Sequence, residues 1–265
     1  MIQSRLRRRS LLTTFTAGVF ATVAGCIGSD SPDEDQDDPS GDTGDDNTVD
    51  DSNTGDDQAT FSDAETLLSF AETGDRDPPY FDEDYVEVSG KGREYTDEIS
   101  VDRDLTAFVG EHHGAGTFSV DASWSEDGDA GLFDTVDEFK GAAATNGISD
   151  DLTLDVQAGG DWEVIIANPQ SDPEETRLPP VTASGSGNQL VGPIAIEGST
   201  TVTGSHDGDS SFVVIIINET GNSFSDAKII YNEAGSVDGK QTELSEDYSG
   251  WVDVFASGEW TLDFE

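Results

Sequence analysis

The feature that most constrains this chain is that its C-terminal two thirds are written twice. Ser89-Gly90-Lys91-Gly92 corresponds to Ser184-Gly185-Ser186-Gly187 and Ile99 to Ile194, both at a spacing of 95 residues. Gly110-Glu111-His112 corresponds to Gly204-Ser205-His206 and Phe118 to Phe212, at a spacing of 94. Val156 corresponds to Val254, and Gly160-Asp161-Trp162-Glu163-Val164 to Gly258-Glu259-Trp260-Thr261-Leu262, at a spacing of 98. The matches keep their order, and the small drift is what changes in loop length produce. A fixed period of this size marks a structural unit rather than a motif. Two copies are therefore expected, at residues 80–180 and 181–265.

Each copy reads as strands. Apolar runs, alternating or continuous, recur about every ten residues: Tyr85–Ser89, Leu105–Val109, Thr117–Trp124, Leu152–Val156 and Trp162–Ala167 in the first. The second has Gln189–Ile196, Thr200–Gly204, Phe212–Ile217, Lys228–Tyr231, Trp251–Phe255 and Trp260–Phe264. Gly, Asp, Asn and Ser cluster between them, as turns require. Short strands without helix–strand alternation predict two tandem antiparallel β-sandwiches of jelly-roll or immunoglobulin-like type. Phe212–Ile217 is apolar on both faces, which suits a strand covered on each side, with the neighbouring unit as one cover. The stretch Phe133–Thr145 has helical spacing and is expected to be a helical insertion. Ahead of the first unit, Ser62-Asp63-Ala64-Glu65 has the form of a capping box. It predicts a short helix to about Glu72 within a lead-in at residues 61–79, ended by Asp77-Pro78-Pro79.

The unit resembles a β-sandwich module of haloarchaeal and bacterial secreted proteins. The residues that carry the likeness in the second copy are Ser184–Gly187, Gly204–His206, the Phe-led strand Phe212–Ile217 and the closing Gly258–Trp260. The first copy shows no clear counterpart of Ile229–Asn232. The resemblance covers about 180 residues, and its motifs are structural. More distantly the unit is similar to small β-sandwich domains appended to secreted peptidases, which implies no catalysis.

Residues 1–25 have the form of an export signal. Arg5, Arg7, Arg8 and Arg9 precede a mostly apolar run, and Val23-Ala24-Gly25-Cys26 has the form of a lipobox. Arg8 and Arg9 are the twin arginines, and Cys26 is the expected lipid acceptor. The apolar run is shorter than the roughly 20 residues needed to cross a bilayer. Residues 29–60 hold thirteen acidic residues and no Lys or Arg. Such a segment cannot bury enough apolar surface to offset its ordering entropy, so 26–60 is read as a lipidated cysteine followed by a disordered acidic tether.

Asp plus Glu number 57 against 12 Lys plus Arg, a formal net charge of −45. At molar salt the Debye length is about 3 Å, which screens most of the resulting self-repulsion. The composition resembles that of haloarchaeal proteins, and with the signal the whole chain is similar to haloarchaeal lipoproteins exported by the twin-arginine route. No basic patch is present to neutralise phosphates, so nucleic acid is not an expected partner. Cys26 is the only cysteine, so no disulfide within the chain can hold the fold.

Candidate chemistry is sparse. His112 and His206 occupy the same position in the two copies, which points to a role in the fold; His113 adjoins the first. No paired-histidine or cysteine motif for zinc occurs. Acidic glycine turns place Asp127, Asp129, Asp207 and Asp209 as calcium candidates, without the spacing of an EF-hand. Trp162 and Trp260 are equivalent and read as core residues. Trp124 closes a strand before an acidic loop and is the candidate platform for stacking a sugar. Asn218-Glu219-Thr220 is an N-glycosylation sequon. No cofactor is implied and no Gly-x-Ser-x-Gly occurs. The expectation is a non-enzymatic, lipid-anchored protein on the outer face of the cell membrane. Its role would be binding, adhesion or envelope structure, with membrane lipid through Cys26 and an envelope glycan or protein as partners. A solute-binding lipoprotein of a transporter and an extracellular hydrolase are the alternatives. Oligomeric state is not legible.

Overall fold

The computed structural model describes residues 61–62, 85–101, 105–124, 128–148, 151–169, 176–219 and 227–265. The signal with Arg8, Arg9 and Cys26, the acidic tether, nearly all of the expected helix, and Asp127 lie outside these residues.

The described residues are built from strands. The first copy contains β1 (Val86–Lys91), β2 (Glu94–Tyr95), β3 (Ile99–Ser100), β4 (Leu105–His113), β5 (Thr117–Trp124), β6 (Gly128–Val136), β7 (Phe139–Asn146), β8 (Asp151–Ala158) and β9 (Asp161–Ala167). The second contains β10 (Val181–Ser186), β11 (Gln189–Ile196), β12 (Thr200–His206), β13 (Ser211–Asn218), β14 (Ala227–Ala234), β15 (Val237–Leu244), β16 (Tyr248–Ala256) and β17 (Glu259–Phe264). Alternation dictates the half-buried strands: in β5, Phe118, Val120, Ala122 and Trp124 point inward, and residues between them point out.

The strands pair into four antiparallel sheets. The first copy has the orders β1-β9-β4-β7 and β2-β8-β5-β6, with β3 also beside β8; the second has β10-β17-β12-β15 and β11-β16-β13-β14. Substituting β10 for β1, β11 for β2 and β3, and so on through β17 for β9 converts one pair of sheets into the other. In each copy the first strand pairs with the last, which is the jelly-roll arrangement rather than the immunoglobulin one. The correspondence extends to register. Gly90 faces Trp162 as Gly185 faces Trp260, and Glu94 faces Val156 as Gln189 faces Val254. A bulge falls after Val120 in β5 and after Val214 in β13, the same place in both copies.

The expected helical insertion at Phe133–Thr145 is corrected: this stretch is the end of β6 and most of β7. The apparent helical pattern came from the alanines of β7. Ala142 and Ala144 are small because that face of the strand is pressed against the second sandwich. The missing counterpart of Ile229–Asn232 is also found. Phe133 pairs with Val120 as Tyr231 pairs with Val214, so β6 and β14 are equivalent.

Each sandwich has its own core. Phe108, Phe118, Val120, Phe133, Leu154, Val156, Trp162 and Val164 fill the first, and Val202, Phe212, Val214, Tyr231, Val252, Val254, Trp260 and Leu262 the second. The same packing devices recur. A Cβ on Gly110 would lie 2.7 Å from the Phe133 ring, and one on Gly204 2.5 Å from the Tyr231 ring. Only glycine lets the aromatic side chain cross its strand there. The indole of Trp162 donates to the carbonyl of Gly92 at 3.2 Å, and that of Trp260 to the carbonyl of Gly187 at 3.0 Å.

A third apolar cluster joins the two sandwiches. Leu105, Ala107 and Val109 of β4, Ala142 and Ala144 of β7, and Ile165 and Ala167 of β9 pack with Leu190, Ile217 and Trp251. The expectation for β13 holds: Phe212, Val214 and Ile216 face its own core while Ile217 faces the other sandwich. The edge strand β7 is covered as well. Ala142 N–H donates to the Asn188 carbonyl at 2.9 Å, and Ala144 N–H to Asp253 Oδ2 at 3.3 Å. Leu, Ile, Val and Trp side chains buried this way are worth roughly 1.5–3 kcal/mol each, so this junction ties the modules together. Clustering of contacts accordingly keeps both sandwiches in one compact unit.

Candidate functional site

The histidines equivalent in sequence are equivalent in structure. His112 Nδ1 lies 2.7 Å from the Asp137 carbonyl and its ring stacks on Phe118 at 4.9 Å. His206 Nδ1 lies 3.2 Å from the Gly235 carbonyl and its ring stacks on Phe212, also at 4.9 Å. Both rings are buried. They brace each sandwich where its two sheets meet.

Other residues named from the sequence are placed as follows. The Trp124 ring is 5 % exposed and belongs to the first core, beside Ile99, Val101 and Leu152. It therefore offers no open face to a sugar, and the stacking expectation is corrected. The acidic loop after it pulled the reading outward, whereas the period of β5 turns the ring in. Asp207 Oδ1 accepts the Glu259 N–H at 2.8 Å, so its carboxylate closes a turn; Asp209 and Asp129 are exposed. Among the described residues no three His, Cys, Asp or Glu are grouped to hold a metal ion. Asn218 ends β13, and its Oδ1 accepts the Ser249 N–H at 3.1 Å.

What the sequence reading missed is an outward-facing position that differs between the copies. In the second sandwich, Ser184, Ser186, Ser205, Asp207, Glu259 and Thr261 line an open groove of about 620 Å³ across β10, β17 and β12. Register places Ser89, Lys91, Glu111, His113, Asp161 and Glu163 at the corresponding points of β1, β4 and β9. Hydroxyls in one copy are thus replaced by carboxylates in the other: Ser205 by Glu111 and Thr261 by Glu163.

This first-copy cluster is largely closed. Glu111 and Glu163 are neighbours on adjacent strands and only 7 % and 5 % exposed. Glu111 Oε1 lies 2.9 Å from His113 Nε2, and Oε2 accepts the Ser62 N–H at 3.1 Å. Lys140, opposite Glu111 on β7, donates from Nζ to Ser62 Oγ at 3.1 Å, and Phe61 meets the His113 ring edge-on at 5.1 Å. Phe61 and Ser62 therefore lie as a strap over the cluster. Lys91 and Asp161 pair beside it at 3.4 Å. Glu163 accepts no hydrogen bond from any described residue. Burial pushes its carboxyl up to about 7, and the nearby Glu87 and Glu111 add to this while His113 opposes it.

A second acidic face lies on β5 and β8. Burial, with Asp155, Asp134 and Asp129 nearby, raises Asp121. Arg93 donates to Asp155 at 3.0 Å and lies over the Tyr95 ring. The third perturbed carboxyl is Asp253 at the junction, pushed up to about 7 by burial.

The sequence did contain a signal for Glu163 and Asp253. Each is a lone acid inside a run apolar on both faces, Trp162–Ala167 and Trp251–Phe255, where a charge is unfavourable. Chemically, a groove of hydroxyls and acids can hydrogen-bond a polar ligand, and a buried pair of glutamates can hold a cation or a proton. Among the described residues no Ser or Thr hydroxyl is hydrogen-bonded to a histidine, so the geometry gives no triad.

The fold and these faces define the chain as a tandem jelly-roll protein with one open and one covered groove at equivalent positions. No protein-family model matches the chain, and no curated protein matches it.

Proposed function

We propose that this is a lipid-anchored surface protein of a halophilic archaeon, held by Cys26 and an acidic tether, whose paired jelly rolls bind an envelope component. The observation that carries the reading is the contrast between the inside and the outside of the two copies. The interior repeats down to the glycine under each aromatic ring, whereas the equivalent outward grooves carry different chemistry. A scaffold copied for support alone gives no reason for that divergence; two faces with different ligands do. The open groove lies within the 300–1,000 Å³ range of ligand sites and presents hydroxyls and carboxylates suited to a polyhydroxylated glycan.

The alternative of a solute-binding lipoprotein is set aside, because it needs two helix-and-strand lobes and the described residues are all strand, turn and loop. The hydrolase alternative would rest on Glu111 and Glu163, which here lie under Phe61 and Ser62.

Anchoring is tested by Cys26→Ser in the native host. The variant should appear in the medium, and its retention on membranes would contradict the proposal. Arg8→Lys with Arg9→Lys should block export if the twin-arginine route is used; unchanged secretion would refute that part.

A further inference from the structure

We infer that the first sandwich holds, beneath the Phe61–Ser62 strap, a site for an amine or guanidinium group. This site is the charged counterpart of the open groove on the second sandwich. It goes beyond the proposed envelope binding and does not depend on what the open groove takes.

Three observations lead to it. The cluster sits at the register position that forms an open groove in the other copy, so the scaffold can present a groove there. Glu163 is more than nine-tenths buried and accepts no hydrogen bond from a described residue, although it points out of the sheet among polar neighbours. What closes the position is the chain's own Phe61 and Ser62, held by contacts that a ligand could replace.

The chemistry of the occupant follows from the charges around Glu163. Glu87, Glu111 and Asp161 face this surface, while Lys91 is paired with Asp161 and His113 with Glu111. Lys140, on the far side of Glu111, donates to Ser62. A buried carboxylate pressed by two other carboxylates is satisfied by a donor carrying positive charge, and charge-assisted hydrogen bonds are the strong kind. Burial and acidic neighbours keep a proton on Glu163 up to about pH 7 while nothing else is bound. A cation would displace that proton, so binding should weaken as pH falls through 7. The strap competes with the ligand, and apparent affinity is reduced by the fraction of molecules in which it is open.

The test is calorimetric titration of the full chain at pH 8 and molar salt. The probes are spermidine for a small amine and a blocked Gly-Arg-Gly peptide for a protein-borne guanidinium. Ser62→Pro removes the N–H given to Glu111 and the hydroxyl given to Lys140, and lies outside every strand. It should bind at least one probe about tenfold more tightly than the unaltered chain. Phe61→Ala should shift affinity in the same direction. Glu163→Gln in the Ser62→Pro background should abolish the gain, and lowering the pH to 6 should weaken it. The inference is overturned if neither probe binds Ser62→Pro, if the strap variants bind no better than the unaltered chain, or if Glu163→Gln leaves binding intact. Whichever probe binds names the source of the cation, and none of these results bears on anchoring at Cys26.

Discussion

Replacing Asp253 by Asn should strengthen the protein at alkaline pH and do little at acid pH. Asp253 lies on β16 between Trp251 and Phe255 and reaches the edge strand of the other sandwich, where Oδ2 accepts the Ala144 N–H at 3.3 Å. That one hydrogen bond favours the ionised form, but burial outweighs it and pushes the carboxyl from 3.8 up to about 7. Each pKa unit is about 1.4 kcal/mol, so full ionisation in the folded molecule costs about 4 kcal/mol as an upper bound. The sign follows from proton counting. Between about pH 4 and pH 7 the folded state holds a proton that the unfolded state has released, so this group's contribution falls as pH rises and is level above 7. Asn keeps an acceptor for Ala144 and carries no charge, but its amide brings donors that need partners, at about 1–3 kcal/mol if unmet. The net gain expected at pH 8 is therefore about 1–3 kcal/mol, shrinking to zero or reversing at pH 4.5. Denaturant unfolding of both proteins at the two pH values, at one molar salt concentration, measures this as a double difference. That difference cancels the titration of the other carboxylates. An equal effect of the substitution at both pH values would refute the burial argument.

Gly204→Ala should cost about 1–3 kcal/mol by thermal unfolding, because its Cβ would lie 2.5 Å from the Tyr231 ring, and Gly110→Ala should do the same against Phe133. Tyr231→Phe should destabilise by about 1–3 kcal/mol, because the hydroxyl donates to the Val202 and Lys240 carbonyls at 2.6 and 2.8 Å. Glu163→Gln alone should raise stability at pH 8 and leave it unchanged near pH 4, the same sign as Asp253 and for the same reason.

The duplication and most strands were legible because the copies share what the core demands: a Gly beneath an aromatic ring, a His that braces the sheets, a closing Trp. Thr117–Trp124 and Gln189–Ile196 match β5 and β11 residue for residue. Strands whose composition answers to a neighbour were not legible. β7 is rich in alanine because the second sandwich lies against it, and β15 is polar on most positions, so neither shows a strand period on its own. The candidate site was hidden for a related reason. Glu111, Glu163 and Lys140 come together through pairing of β4, β7 and β9, and the contact with Ser62 spans 49 residues in sequence. With 57 acidic residues in the chain, no local pattern separates a buried glutamate from a solvated one. Only comparison of the two copies does, at Glu163 against Thr261.

The claim that the outward grooves, rather than the shared interior, meet the cell envelope has a direct test. The full chain with Cys26→Ser, purified at molar salt, is sedimented with isolated envelopes, alone and with Ser205→Trp and Thr261→Trp filling the open groove. The wild-type groove should carry the protein into the pellet and the filled groove should leave it in solution. Equal amounts in the pellet, or none from either protein, would contradict the account.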